Sequence, residues 1–80
     1  MNSMNVLYSS PHYSVAEYPG QDGYELINLH QGTGTFLRGD IASAFRRTLA
    51  VVIAGNPTAE LVDEFLENFD GLMIQPAVLH

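Results

Sequence analysis

The first forty residues alternate short apolar runs with turn residues, a pattern typical of β-strands. Turn-forming residues, mainly proline, glycine and serine, separate the runs. The predicted strands are Met4 to Tyr8, Tyr13 to Tyr18, Tyr24 to Leu29 and Thr35 to Arg38. Because their connections are far shorter than the dozen or more residues of a parallel crossover, neighbouring strands must be antiparallel. The pattern therefore predicts a meander of three or four strands.

From Asp40 onward, apolar residues recur at the helical period. Asp40 is a suitable N-cap, since its carboxylate can accept hydrogen bonds from the unpaired N–H groups of the first turn. The predicted buried stripe contains Ile41, Phe45, Leu49 and Val52. Further apolar residues flank this stripe, so we expect the helix to contact both the sheet and a second helix. Gly55 is predicted to end the helix in the left-handed conformation.

A second helix is predicted after Asn56-Pro57-Thr58, because proline is favoured at the first helical position and either neighbour can cap. Its predicted buried face contains Leu61, Val62, Phe65, Leu66 and Phe69. Gly71 is predicted to end the helix. The tail that follows contains Ile74, Val78 and Leu79, whose exposure to water would be unfavourable. We therefore expect the tail to dock on the body, with an edge strand as one way of doing so.

Together these elements predict one small α+β domain over residues 1–80. The expected architecture is a small antiparallel sheet of three to four strands packed on a C-terminal helical hairpin, in the order ββββαα. An open sheet of this kind leaves strand edges, which the tail or a second protomer can cover.

The charge balance narrows the functional classes. The chain has nine acidic residues and three arginines and contains no lysine, for a formal net charge of -6. Duplex DNA and anionic membranes would repel such a surface, so neither nucleic acid nor membrane is an expected partner. The absence of cysteine excludes disulfides and thiolate zinc sites. The N-terminus lacks the basic and apolar regions of a signal peptide, so the expected location is cytoplasmic.

No residue pattern indicates catalysis. The candidate nucleophiles are Ser9, Ser10, Ser14 and Ser43, and none has the sequence context of a nucleophile elbow. Nor does the local sequence place a histidine and a carboxylate together to activate one of them. A chain of this length would also struggle to enclose a pocket that excludes water. We therefore expect a protein that is not an enzyme, with no catalytic residue and no cofactor.

The strongest functional feature is the outer face of the second helix. Its acidic residues are Glu60, Asp63, Glu64, Glu67 and Asp70, and all five are predicted to point outward. Glu60/Glu64 and Asp63/Glu67 are like-charge pairs at i, i+4, each destabilising by roughly 0.2–0.5 kcal/mol. A face selected only for stability would include lysines. The leading hypothesis is therefore a non-catalytic protein-interaction module that binds an unidentified protein, either through this acidic helix face, which would suit a basic partner, or through a sheet edge.

Two alternatives remain open. Arg46 and Arg47, on the exposed side of the first helix, could instead supply the basic surface from another copy, giving a homodimer. A small-ligand or metal-binding protein could use His12, His30 and the Gly32–Gly34 loop. The histidines show no ligand spacing such as i, i+4, so no metal site is assigned. The loop feeds a strand rather than a helix N-terminus and lacks a following Lys-Ser/Thr, so it does not match a phosphate-binding loop.

The two ends of the chain resemble a family of short uncharacterised bacterial proteins, catalogued as a domain of unknown function. The resemblance rests on MNVLYSSPHYSV at residues 4–15, DEFLENFDGLM at residues 63–73 and QPAVLH at residues 75–80. It extends over essentially the whole chain and is weakest between Gln21 and Thr35. None of these motifs is a chemical signature. The resemblance implies a stand-alone bacterial protein of this length, and it supplies no activity, cofactor or catalytic residue.

Overall fold

The computed structural model of the chain describes residues 4–73 and 75–76. Its elements are β1 (Asn5–Ser9), β2 (Tyr13–Tyr18), β3 (Gly23–Asn28), β4 (Thr33–Arg38), α1 (Gly39–Ala54), α2 (Ala59–Glu67) and β5 (Gln75–Pro76). All strand pairs are antiparallel and the sheet order is β1-β2-β3-β4-β5. The predicted α+β arrangement in the order ββββαα is confirmed, with β5 added at the edge.

The β3–β4 turn is shorter than the sequence pattern suggested. Gly32 has a φ of 69° and donates its backbone N–H to the Asn28 carbonyl at 2.8 Å. The positive φ is easily reached by glycine and closes the turn at that residue. Thr33 and Gly34 therefore belong to β4, where they pair with Asn28 and Ile27. In the Gly32–Gly34 segment, Gly32 is thus the last residue of a tight hairpin turn, and the next two residues are strand.

Both helices pack on the same face of the sheet, which we call the front face. The core consists of Tyr13, Val15, Tyr24, Leu26, Leu37, Ala42, Phe45, Leu49, Val62, Leu66 and Met73. The strand residues in this cluster alternate in sequence, as expected where one face of an antiparallel sheet is buried.

The bounds of α1 differ from the prediction at both ends. The helix begins at Gly39, whose φ is 66°, and Asp40 lies in the first turn instead of forming the N-cap. At the other end, Gly55 has a φ of -77°, so the predicted left-handed closure at this residue is wrong. Asn56 adopts that conformation instead, with a φ of 52°. Asparagine tolerates the left-handed region better than most residues, which explains the shift of one position.

The predicted buried stripe of α1 is correct for Phe45 and Leu49 and wrong for Ile41. Ile41 is 61% exposed, whereas the next residue, Ala42, is 3% exposed. The short side chain of Ala42 lets the start of α1 approach the sheet closely. This rotates Ile41, about 100° away around the helix, toward solvent.

The start of α2 is capped by Thr58, whose hydroxyl accepts the Leu61 backbone N–H at 3.3 Å. Val62 and Leu66 are buried, but Leu61 is 53% exposed, so its predicted place on the buried face is wrong. The helix ends at Glu67, before the predicted end at Gly71. A short 3-10 turn over Asp70–Leu72 follows it.

An aromatic cluster joins the two helices. Phe45 of α1 stacks on Phe65 with ring centroids 6.0 Å apart and meets Phe69 edge-on at 5.2 Å. Phe65 and Phe69 are themselves 5.4 Å apart in an edge-to-face arrangement. Such pairs contribute about 0.5–1.5 kcal/mol beyond the burial of their area. The cluster fixes how α2 sits beside α1.

The docked tail is confirmed where the structure describes it. Gln75 and Pro76 form β5, pairing with Gly34 and Thr33 at the free edge of β4. The other predicted tail contacts, those of Ile74, Val78 and Leu79, lie outside the described residues.

The opposite, back face of the sheet contains one close approach that requires glycine. Phe36 lies over Gly23 of the neighbouring strand, and a Cβ at Gly23 would overlap the edge of the Phe36 ring. Tyr18 flanks this ring with centroids 5.6 Å apart, and the Arg38 guanidinium lies 5.0 Å from its centroid. The ring is thus held over a position that has no side chain.

Gly23→Ala should therefore destabilise the fold by about 1–3 kcal/mol, as overpacking does in other proteins. In a Phe36→Ala background the same substitution should cost clearly less, because the overlap with the ring is gone and only the Leu37 carbonyl oxygen remains close to the new Cβ. Urea unfolding of the four proteins in this double-mutant cycle measures the difference. An equal cost in both backgrounds would contradict the proposed contact.

Candidate functional site

The site is a groove between α2 and the end of the sheet that contains the β1–β2 and β3–β4 turns. At one end of the groove, the Tyr8 hydroxyl oxygen lies 3.0 Å from the Ala59 carbonyl oxygen. At the other end, the Asn28 side-chain amide donates to Asp70 at 3.3 Å. The groove has a volume of about 280 Å³ and is lined by His12, Tyr13, Asn28, His30, Gln31, Asp63, Glu67 and Asp70. It is an open, polar cleft with an acidic wall.

Asp63 is held in this wall by two hydroxyl groups. Tyr8 donates to its Oδ1 at 2.8 Å and Ser10 donates to the same atom at 2.9 Å. The Ser10 oxygen also accepts the backbone N–H groups of His12 and Tyr13, each at 3.1 Å. Ser10 thus connects the β1–β2 turn to α2. Both donors to Asp63 are neutral, so they orient the carboxylate without cancelling its charge.

Asp70 is held in a similar way just beyond the end of α2. Its Oδ1 accepts from the Tyr13 hydroxyl at 2.9 Å and from the Asn28 amide at 3.3 Å. Asn28 is buried, and its own Oδ1 accepts the Gln31 backbone N–H at 3.0 Å. One asparagine therefore both shapes the β3–β4 turn and positions a carboxylate of the site.

The hydroxyl groups that hold the carboxylates are strongly biased toward the protonated state. Burial, the hydrogen bond to Asp70 and the nearby negative charges all raise the pKa of Tyr13 far above its ordinary value. Burial and the Asp63 hydrogen bond likewise raise the pKa of Tyr8, while the bond with Ser10 opposes this shift. A tyrosinate beside a carboxylate would be doubly unfavourable, since it would lose the donor and add a like charge.

The five acidic residues predicted as a binding surface do not all point outward. Glu60, Glu64 and Glu67 are exposed, but Asp63 and Asp70 are partly buried and hydrogen-bonded to the sheet. The burial of Val62 and Leu66 sets the rotation of α2 and turns Asp63 and Glu67 along the flank over the groove, while Asp70 lies just beyond the helix end. The prediction that Asp63 and Asp70 point outward is therefore wrong. The proposed binding role of the five residues stays a prediction.

Sequence reasoning missed the tyrosines and Ser10 as parts of this site. All four tyrosine hydroxyl groups donate to carboxylates, and those of Tyr8 and Tyr13 do so within this site. The available signal was the position of Asp63 and Glu67 next to the core positions Val62 and Leu66. Asp63 directly follows the buried Val62, so its side chain lies at the border of the buried face, where the Tyr8 hydroxyl reaches it.

The histidines lie on the rim of the groove. His12 and His30 are both exposed and line it with the carboxylates. Among residues 4–73 and 75–76, however, no three histidine or acidic side chains are arranged to hold a metal ion. Ser10 contacts the backbone of His12 and not its ring, so this pair is not arranged as a nucleophile and base.

The arginines lie away from the acidic groove. Arg38 is at the end of β4, where it donates to Gln21 at 3.4 Å, while Arg46 and Arg47 are exposed on α1. In the described part of the chain, Asp63 and Asp70 accept hydrogen bonds from hydroxyl and amide groups. The groove wall therefore presents concentrated negative charge that neutral groups hold in position.

Fold and site together define a small α+β domain with an acidic groove. Within the described residues, no helix combines the length and apolar content that a bilayer-crossing segment requires. The chain belongs to the family described as Protein of unknown function (DUF3567), whose model matches residues 4–80. It is also 40% identical, over 85 aligned residues, to Protein BTH_I0359 of Burkholderia thailandensis, covering 96% of this chain and 100% of that protein. No solved structure matches the chain.

These matches confirm the resemblance to a bacterial family of unknown function over essentially the whole chain. The family description states no activity, so the function must be argued from the site.

The tyrosine–carboxylate contacts predict a specific alkaline sensitivity. Tyr13→Phe removes the hydrogen bond to Asp70, so the unfolding free energy at pH 8 should fall by about 1.5–3 kcal/mol. Because the pKa of Tyr13 is raised in the folded state, its stabilising contribution is fully present below about pH 10, the pKa of tyrosine in the unfolded chain. This contribution is lost as the pH rises further. Above pH 10 the gap between wild type and variant should narrow by up to about 1.4 kcal/mol per pH unit. Urea unfolding at several alkaline pH values tests this, and a constant gap would contradict it.

Proposed function

We propose that this chain is a non-catalytic cytoplasmic protein-interaction module that binds a basic segment of a partner protein along α2. The binding surface consists of Glu60, Asp63, Glu64, Glu67 and Asp70. In this proposal Asp63, Glu67 and Asp70 form the wall of the groove, while Glu60 and Glu64 extend the negative surface onto the outer side of the helix.

The observation that most strongly supports the proposal is the way in which Asp63 and Asp70 are held. Each accepts two hydrogen bonds through Oδ1, from neutral donors at 2.8–3.3 Å. An ionised carboxylate has further lone pairs beyond these two bonds. Lysine or arginine side chains of a partner can therefore meet acceptors that are already oriented, which lowers the entropy cost of binding.

The cost in stability supports the same interpretation. Glu60/Glu64 and Asp63/Glu67 are like-charge i, i+4 pairs on a nine-residue helix. The chain contains no lysine that could relieve them. Binding a basic segment would convert this repulsion into attraction, and a negatively charged surface would also accelerate encounter with such a partner.

The shape of the site favours binding over catalysis. The groove is open and its serine, Ser10, already donates to Asp63 and accepts two backbone N–H groups. Both lone pairs of the Ser10 oxygen are taken by backbone N–H groups, which disfavours this oxygen as the nucleophile of acyl-transfer chemistry. A fixed row of acceptors facing solvent is instead suited to recognising donors on another molecule.

Glu64→Gln combined with Glu67→Gln tests the proposal. The change removes one member of each like-charge pair, so the fold should gain about 0.4–1 kcal/mol, seen as a higher melting temperature. It should also weaken binding of a fluorescent lysine-rich peptide severalfold at low ionic strength. Wild-type affinity should fall as salt rises, because the attraction between exposed charges is screened.

A matched control separates a local site from total charge. Asp22→Asn combined with Asp40→Asn removes the same number of charges at the opposite end of the sheet. Both residues are exposed, and the left-handed φ of 50° at Asp22 also suits asparagine. The control should bind the peptide nearly as well as wild type. Equal losses in the two double variants, or no loss in either, would overturn the proposal.

A further inference from the structure

β1 is an unpaired edge of the sheet in the described part of the chain. The sheet order places β2 on one side of β1 and no other described strand on its outer side. The strand sequence is NVLYS, with no charged residue and no proline. Natural edge strands are usually protected by charges, proline or bulges, because their free N–H and C=O groups can pair with another chain. Of these devices β1 has only a bulge, between Val6 and Tyr8.

An apolar hollow adjoins this edge on the front face. It has a volume of about 550 Å³ and is lined by Leu7, Glu17, Tyr24, Arg46, Leu49, Ala50, Ile53 and Ala54. Leu7 and Ile53 are large and stand out from the surface, being 41% and 44% exposed. Ala50 and Ala54 have short side chains and form the floor of the hollow. The protruding side chains of Leu7 and Ile53 lie beside it.

This combination of protrusion and hollow is self-complementary. A two-fold axis places the same patch of both subunits in contact, so Leu7 and Ile53 of each copy can enter the hollow of the other. The bulge interrupts a continuous backbone ladder. The contact must therefore depend on these side chains as well as on backbone hydrogen bonds along β1.

The charges around the hollow fit a second copy better than a basic partner. The charged residues lining it are one glutamate and one arginine, Glu17 and Arg46. Their formal charges sum to zero, so a basic segment gains little there. A two-fold arrangement can instead place Arg46 of each copy near Glu17 of the other. The chain has a net charge of -6. Two copies therefore repel each other less at an uncharged strand bordered by balanced charges than at the acidic face of α2.

We propose that β1 and the adjoining hollow form the contact surface of a homodimer with two-fold symmetry. The hollow shares no lining residue with the acidic groove, although Tyr8 of β1 also holds Asp63 there. A standard interface covers about 800 Å² on each partner, roughly a seventh of this chain's 5344 Å² accessible surface. A five-residue strand is only about 17 Å long, so the contact falls at the small end of this class. The dimer therefore forms at high protein concentration and dissociates on dilution.

The test is sedimentation velocity of the full chain over a wide dilution series. Leu7→Lys places a charge on the edge and in the hollow, and it should weaken dimerisation about tenfold or more. Ala50→Trp fills the hollow from an exposed helix position, so it should block entry of the partner's Leu7 without disturbing the monomer. Ile41→Lys is the matched control, because it exchanges an exposed aliphatic residue for lysine at the far end of α1.

The expected result is a concentration-dependent dimer for wild type and Ile41→Lys, and a monomer for Ala50→Trp over the same range. Circular dichroism identifies any variant that fails to fold. If Leu7→Lys does not fold, Ala50→Trp still tests the proposal. Binding of the lysine-rich peptide should be unchanged in a folded Ala50→Trp variant, since the two surfaces are separate. A wild type that stays monomeric at the highest concentration, or an Ala50→Trp variant that dimerises like wild type, would overturn the proposal.

Discussion

The rotation of α2 about its own axis is the constraint on which the rest of the structure depends. Val62 and Leu66 are buried against the sheet, and Phe65 and Phe69 pack on Phe45 of α1. With these contacts made, Asp63 must lie on the flank above the strand ends. The acidic groove thus follows from hydrophobic packing, which is the larger stabilising contribution.

Polar contacts then convert this packing into a defined surface. Partly buried carboxylates need hydrogen-bond partners, and the chain supplies hydroxyl and amide groups in place of cations. Because these donors are neutral, they orient the carboxylates and leave their negative charge uncompensated. The same residues consequently tie α2 to the sheet and form the surface that we propose binds a basic partner. On the opposite flank, α1 leaves an apolar hollow beside the uncharged β1 strand, so the two proposed contacts occupy separate sides of the helical layer.

Much of the fold could be predicted from periodicity, because antiparallel strands and amphipathic helices each leave a clear pattern. The failures were local and have physical causes. Ile41 and Leu61 are apolar residues next to the contact lines of their helices, and periodicity cannot distinguish a wide buried arc from a narrow one. For the site, sequence identified the acidic residues but not the outward or inward direction of Asp63 and Asp70. That direction depends on Tyr8 and Tyr13, which are some fifty residues away in the chain.

A double-mutant cycle on Tyr8 and Asp63 tests the rotation of α2 most directly. If the hydroxyl and carboxylate are in contact, Tyr8→Phe and Asp63→Ala should be non-additive, with an interaction energy of about 0.5–3 kcal/mol in urea unfolding. The parallel cycle of Tyr8→Phe with Glu64→Gln should be additive, because Glu64 lies on the exposed side of the helix. Additivity for Asp63 together with coupling for Glu64 would show that α2 is rotated differently and would contradict the account.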